Sequence, residues 1–365
     1  MQHWNLMLNS LALNNIHTPF IEVEQRGALG CIILNRPATL NATNMEMVDA
    51  INDALTIFAS TPDILHIAIL SNCERAFCAG GDIRAAYHVM QKGDFHLCDI
   101  YFRAEYHLAH RLATFPKPIY AFINGLTLGG GMGISVHCHA RIAGENAIFG
   151  MPETTIGFFP DVGAAYFYNH LKNATVDNTE GMYLALTGAK FERDQAIQNG
   201  IATHAINISE WETLLKQLAS GRMLDECLYT PSETKPYIHD AAIDRAFTKT
   251  TLPAIIEALP VGTRCKLLRK SPLSVYATYL YMKQAQTLSL KEVIEYDTKL
   301  AMDFVQHGEF MEGIRALIID KDNAPKWRYT WDEIVTATNN NHQFSDAFLN
   351  QLFTTNNKLF PNCTE

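Results

Sequence analysis

Twice in the first half of the chain a run of apolar residues ends in consecutive glycines and gives way to a helical pattern. "AFCAGGDIRAAY", from Ala76, sets Gly80 and Gly81 ahead of an amphipathic stretch, with Asp82 near the helix start. "IYAFINGLTLGGGMGIS", from Ile119, sets Gly129, Gly130 and Gly131 at the entry to another. Glycine permits a tight turn or a close backbone approach, and a helix N-terminus presents N–H groups with no partner inside the helix. Strand, glycine turn and helix in succession, with strands apolar throughout, predict an α/β fold whose sheet is covered on both faces.

The remaining elements are consistent with this. "FIEVEQRGALGCIILNRP" reads as two strands turning at Gly27. In "TNMEMVDAINDALTIFAS", Met47, Val48, Ile51, Leu55 and Phe58 follow helical spacing, and Thr43 with Glu46 predicts a capping box. "HIAIL" from His66 is a short buried strand, and "ARIAGENAIFG" supplies a strand pair. The polar, proline-containing stretch 229–240 reads as a linker. It divides a core over 18–228 from a helical region over 241–345, with 346–365 a loosely held tail rich in Asn and Thr. In the helical region Ser289 and Glu292 predict a second capping box. Leu290, Val293, Leu300 and Phe304 form an apolar stripe, and Gly308 is the stop.

With 365 residues, 48% of them hydrophobic, the chain can bury one large core or two smaller ones. A formal net charge of −9 argues against nucleic acid as the main partner, because phosphate binding needs a basic excess. An anionic small molecule remains compatible, held by backbone N–H groups and a few local cations. No Lys or Arg precedes Arg26, so neither a secretory signal nor a transit peptide is expected, and no apolar run reaches the length of a membrane span. The eight cysteines (31, 73, 78, 98, 138, 227, 265 and 363) lack CxxC spacing and read as reduced thiols in a cytoplasmic type of compartment.

Three stretches could carry chemistry. The two glycine turns could aim two N–H groups at one carbonyl oxygen, forming an oxyanion hole, although either alone is more simply a tight turn. Neither fits a phosphate-binding P-loop or a dinucleotide fingerprint. The third stretch, "MPETTIGFFPDVGAAYF", places Glu153 and Asp161 among Pro, Gly and Phe. Buried carboxylates find partners or shift their pKa, and two of them can divide acid and base roles. Ile156, Phe158 and Phe159 argue against a solvated surface loop. "SVHCHAR" is not a metal site, because His137 and His139 share no helix face and Cys138 points elsewhere. Ser135 lacks a nucleophile elbow. On spacing alone Glu105, in "YFRAEYHLAH", is an exposed helix acid.

The stretches "LNRPATLNA", "AFCAGGDIR", "NGLTLGGGMGIS", "MPETTIGFFPDVGAAYF" and "RALIIDKDNAPKW" together resemble the crotonase (enoyl-CoA hydratase/isomerase) superfamily, and in particular its 3-hydroxyisobutyryl-CoA hydrolase branch. The first three are common to the superfamily and the last two belong to that branch. The resemblance covers about residues 20 to 330. It implies a spiral of ββα units with a helical C-terminal region, an acyl-CoA substrate, and hydrolysis of its thioester. It also implies that the oxyanion hole is made by the N–H groups of Gly81 and Gly130, and that Glu105, Glu153 and Asp161 line the acyl site. Glu153 and Asp161 would be catalytic and Glu105 substrate-binding, with no metal and no cofactor beyond the CoA of the substrate. A homo-oligomer is compatible with the helical region.

Two positions depart from the wider superfamily. Hydratases carry a Glu where this chain has Gly133, which removes one of their two carboxylates and favours hydrolysis over hydration. Many relatives carry a Lys near the CoA nucleotide where this chain has Ala38, and Arg84 or the basic run Lys266–Lys270 is the substitute the sequence offers. The alternatives are an enoyl-CoA hydratase or isomerase, and a non-catalytic acyl-CoA-binding member of the fold.

Overall fold

The structure, a computed structural model, describes residues 16, 18–172, 178–235 and 240–339. The expected tail over 346–365 and part of the expected linker lie outside the described residues. The chain forms two compact units interleaved in sequence, one from 1–82, 104–149 and 191–237, the other from 83–103, 150–190 and 238–365.

The first unit carries two sheets. Six strands make the larger one: β1 (Ile21–Arg26), β2 (Leu29–Leu34), β3 (His66–Ser71), then β5 (Ile119–Ile123), β7 (Ala140–Ala143) and β10 (His204–Ala205), in the order β1-β2-β3-β5-β7-β10. Only β1 and β2 are antiparallel, paired from Ile21↔Leu34 to Arg26↔Leu29 around a turn where Gly27 has φ +57°. From β2 onward neighbours run parallel. Strand β2 is buried along its whole length, the mark of a sheet covered on both sides. On one face Leu29, Cys31, Ile33, Tyr120, Phe122 and Ile142 meet Leu214, Leu215 and Leu218 of the helix Ile208–Ala219. On the other, Gly30 lies against the Phe58 ring, which belongs to the helix Met45–Ser60. The smaller sheet takes β4 (Ala76–Cys78), β6 (Leu126–Leu128), β8 (Ile148–Gly150) and β9 (Phe191–Glu192), in that order.

The expected helix at 45–60 is present, and its predicted apolar positions are buried. Its cap differs from the expectation. Asn44, not Thr43, accepts the Met47 N–H at 3.0 Å, which releases the Thr43 side chain for work described below. The capping box at Ser289 and Glu292 forms as expected, heading the helix Leu290–His307, with Gly308 at its end.

The second unit is largely helical. The helix Pro272–Gln284 is buried almost all round, as a central helix must be. Phe158 sits in an aromatic cluster with Phe102, Phe159, Phe304 and Phe310, at centroid distances of 4.4 to 5.8 Å. "RALIIDKD" is anchored by Arg315, which pairs with Glu312, Asp320 and Asp322. Among the described residues no helix is long and apolar enough to cross a membrane.

Candidate active site

In the first unit Gly80, Gly81, Gly130, Thr43 and Glu105 converge. Gly80 has φ +107°, a conformation that strains any residue with a Cβ. Its carbonyl accepts the Thr43 N–H at 2.8 Å, and the Asp82 N–H donates to the Thr43 carbonyl at 2.8 Å. Gly81 thereby forms a parallel bridge with Thr43. Because extended backbone alternates, these two bonds turn the Gly81 N–H away from Thr43. Gly130 opens the helix Gly130–Gly133, so its N–H has no partner within that helix. A Cβ placed on Gly130 would stand 3.3 Å from the Gly81 nitrogen and would collide with Glu105 Oε1. Gly130 therefore packs close to the Gly81 amide and the Glu105 carboxylate, at a distance that leaves no room for a Cβ.

Glu105 is buried, at 4% exposure. This corrects the exposed position read from its helix spacing. The Thr43 hydroxyl donates to Glu105 Oε1 at 3.3 Å. The sequence placed Thr43 at a helix cap instead of beside Glu105; the signal available was its place just after "NRPATLNA". That loop is pinned by Asn41, whose Nδ2 donates to Ser71 Oγ at 2.8 Å and to the Phe77 carbonyl at 3.1 Å. Arg36 adds an ion pair to Asp82 at 2.8 Å.

In the second unit Glu153 and Asp161 are buried, as their apolar neighbours implied. Glu153 begins the 3-10 helix Glu153–Ile156. Lys270 is 7% exposed, and its Nζ donates to the Thr155 hydroxyl. Burial lowers its pKa to about 8, opposed by the nearby negative charge of Glu153. Lys270 is therefore a cation facing the Glu153 turn, which the reading of "KLLRK" as a possible nucleotide-binding run did not foresee. Lys266 and Arg269 of that run are exposed, as is Arg84, which donates to the Ile318 carbonyl at 3.2 Å.

Turnover is expected to fall above about pH 8, as Lys270 loses its proton and Glu153 its neighbouring cation. Lys270→Arg, which stays charged, should move that limb upward out of range, and Lys270→Met should lower activity at every pH. A kcat/KM profile of the three proteins from neutral to alkaline pH checks this. An alkaline limb unchanged in Lys270→Arg would dissociate it from Lys270.

Asp161 is followed by Val162 at φ +49° and Gly163 at φ +83°. The Gly163 N–H donates to Asp297 Oδ2 at 2.7 Å. Of the histidine pair, His139 Nδ1 accepts the Ile119 N–H at 3.2 Å, and among the described residues no group of three or more His, Cys, Asp or Glu side chains could hold a metal ion.

A family model described as enoyl-CoA hydratase/isomerase matches residues 29–344. The chain belongs to the enoyl-CoA hydratase/isomerase family. The mitochondrial 3-hydroxyisobutyryl-CoA hydrolase of Xenopus tropicalis is 36% identical over 331 residues, 85% of this chain and 84% of that protein. The human protein of the same name is 33% identical over 364 residues, covering 93% and 92%. Among solved structures, an enoyl-CoA hydratase from Rhodobacter sphaeroides 2.4.1 superimposes with TM-score 0.78 at 30% identity, covering 91% of this chain and 96% of that one. A carnitinyl-CoA dehydratase from Mycobacterium thermoresistibile gives TM-score 0.81 at 26% identity, covering 92% and 97%. Family members of both hydrolytic and hydrating name thus share the fold, and the choice between them falls to particular residues.

Proposed function

We propose that this enoyl-CoA hydratase/isomerase family member hydrolyses a short hydroxylated, branched acyl-CoA thioester, 3-hydroxyisobutyryl-CoA, to 3-hydroxyisobutyrate and CoA. Such a reaction belongs to valine breakdown. The relatives named above support the substrate. The observation that carries the reaction is the pair of amides at Gly81 and Gly130, brought together beside the Glu105 carboxylate where a Cβ on Gly130 has no room. In this reading they form the oxyanion hole and receive the thioester oxygen as it becomes an oxyanion, a contribution of about 3 to 4 kcal/mol per donor by precedent in other hydrolases.

Glu153 supplies the chemistry by one of two routes. Its carboxylate attacks the thioester carbonyl, CoA leaves as a thiolate, and water then opens the mixed anhydride. Alternatively it takes a proton from water, and the hydroxide attacks. Either way one water is consumed, its oxygen ending in the carboxylate product and one of its protons on the departed CoA sulfur. Lys270 favours the ionised carboxylate that both routes need. Asp161 binds the substrate hydroxyl or manages a proton, and Glu105 positions the acyl group. CoA being part of the substrate, the reading calls for no metal or redox cofactor. Hydration would need a second carboxylate at Gly133, which lies buried inside the helix Gly130–Gly133. That helix offers no acid to replace it.

The relatives' printed names include "mitochondrial", so the compartment is not simply the cytoplasmic one expected from the sequence. We read it as a reducing one, on the free thiols of Cys31, Cys73, Cys78, Cys98, Cys138, Cys227 and Cys265.

Free-thiol release from 3-hydroxyisobutyryl-, 3-hydroxypropionyl-, 3-hydroxybutyryl-, crotonyl- and acetyl-CoA, with loss of the crotonyl double bond followed in parallel, tests the proposal. Thiol release from the 3-hydroxyacyl esters without hydration is the expected result. Hydration without thiol release overturns it in favour of a hydratase, and binding without turnover in favour of a non-catalytic protein.

A further inference from the structure

Asp297 lies within the helix Leu290–His307, fully buried at 0% exposure. Its Oδ2 accepts the Gly163 N–H at 2.7 Å. Its Oδ1 lies 2.8 Å from the Tyr281 hydroxyl oxygen, which is itself 2.9 Å from the Val293 carbonyl oxygen. A phenol has one proton and a carbonyl only accepts. Without a proton between them, two oxygens at 2.9 Å repel, so Tyr281 donates to Val293. The contact between Tyr281 and Asp297 then needs a second proton, which among the described residues the Asp297 carboxyl supplies.

Other features agree. Burial, the larger cause, and the charge of Asp161 push the Asp297 pKa well above the usual carboxylate range, with the Gly163 N–H bond opposing them. The groups facing Asp297 are Asp161 and the Gly163 amide from the turn and Tyr281 from the helix Pro272–Gln284, while Tyr296 of its own helix acts on Tyr281. The turn itself needs holding. Val162 is β-branched and sits at φ +49°, a conformation such residues adopt only when their surroundings impose it. The anchor Asp297 provides is two residues beyond Asp161, at the head of the helix Ala164–Asn169.

We propose that Asp297 is the positioning residue for Asp161: as an uncharged acid it clamps the Asp161–Val162–Gly163 turn through the Gly163 N–H and leaves the negative charge of the pair on Asp161. This rests on the reading of Asp161 as the residue that meets the substrate hydroxyl. It predicts that position 297 needs the shape and the donor of a protonated carboxyl and does not need a charge. Asn meets that need, its carbonyl taking the Gly163 N–H and its amide donating to Tyr281.

The test compares wild type, Asp297→Asn, Asp297→Ala and Asp161→Asn by two measurements. One is kinetics with 3-hydroxyisobutyryl-CoA and with isobutyryl-CoA, which lacks the hydroxyl. The other is the infrared carbonyl band of a protonated carboxyl at neutral pH. Asp297→Asn should stay within about threefold of wild type on both esters and lose the infrared band. Asp297→Ala should raise KM for the hydroxylated ester by about tenfold or more and change kcat/KM for isobutyryl-CoA little. If Asp297→Ala does not fold, the band and the Asn variant still decide. Asp297→Asn as impaired as Asp161→Asn, or a band unchanged by it, overturns the proposal. The infrared readout needs no substrate. If Asp161 has no part in hydroxyl binding, Asp161→Asn matches wild type on both esters while the band persists, and that overturns the positioning role specifically.

Discussion

Glu153→Gln is expected to lower turnover of the acyl-CoA thioester by about 10²- to 10⁴-fold, the span a positioned acid, base or nucleophile contributes, while acyl-CoA binding survives. The substitution keeps shape and removes charge. The turn that carries it is held by other groups: Ser271 donates its N–H to the Thr154 carbonyl at 3.3 Å, and the Thr154 hydroxyl donates to the Leu186 carbonyl at 3.2 Å. Loss of activity with an unchanged fold is therefore the expected pattern. A second consequence follows at Lys270. The Glu153 charge raises the Lys270 pKa against burial, so in Glu153→Gln that lysine should lose its proton at lower pH than in wild type. Single-turnover thiol release measures the first effect and titration calorimetry with acyl-CoA the binding. Near-normal hydrolysis by the variant would remove Glu153 from the chemistry. Single-turnover hydrolysis in heavy-oxygen water separates the two routes, because label in the enzyme carboxylate marks attack by Glu153 and its absence marks activated water.

Much of this was legible in the sequence, for reasons that differ from residue to residue. The strands and the helix Met45–Ser60 follow from hydrophobic period. The burial of Glu153 and Asp161 follows from the Phe, Pro and Gly around them, since Phe158 and Phe159 cannot reach a core without carrying their neighbours inward. Glu105 was not legible from its own surroundings. Its helix alternates polar and apolar residues so that position 105 looks solvent-facing, and a residue distant in sequence, Thr43, donates a hydrogen bond to its carboxylate. Thr43 was misread for a related reason. Two capping patterns overlap at 43–47, and a hydroxyl that could cap the helix is drawn instead to the Gly80 turn. Lys270 and Asp297 left no sequence signal. One sits in a basic run that resembles a solvated face, the other among polar residues of an amphipathic helix, and only tertiary packing buries them.

Gly130→Ala is expected to lower kcat/KM by about 10²-fold or more, an effect on the scale of losing one oxyanion donor, because the methyl hinders access to a backbone N–H that the substitution itself leaves in place, with little change in stability. Gly130 lies within a helix, and there Ala is the better helix former. The added methyl would collide with Glu105 Oε1, the movable end of a side chain, and crowd the Gly81 nitrogen at 3.3 Å. In the proposed reaction it would crowd the approach of the thioester oxygen to the two amides, so the fold tolerates it and the reaction does not. Gly131→Ala provides the contrast. Its methyl would collide with the Cys78 carbonyl, which is backbone and cannot swing aside, so that variant should lose thermal stability and lose activity only as a consequence. Melting temperature and kcat/KM measured on both variants separate the two cases. Gly130→Ala with wild-type kcat/KM would mean that the thioester oxygen is stabilised elsewhere. Gly130→Ala with activity and melting temperature lost together would mean that the glycine serves packing alone. The first result expected here, an enzyme that folds and binds but turns over slowly, requires that the space beside Gly81 be kept for substrate.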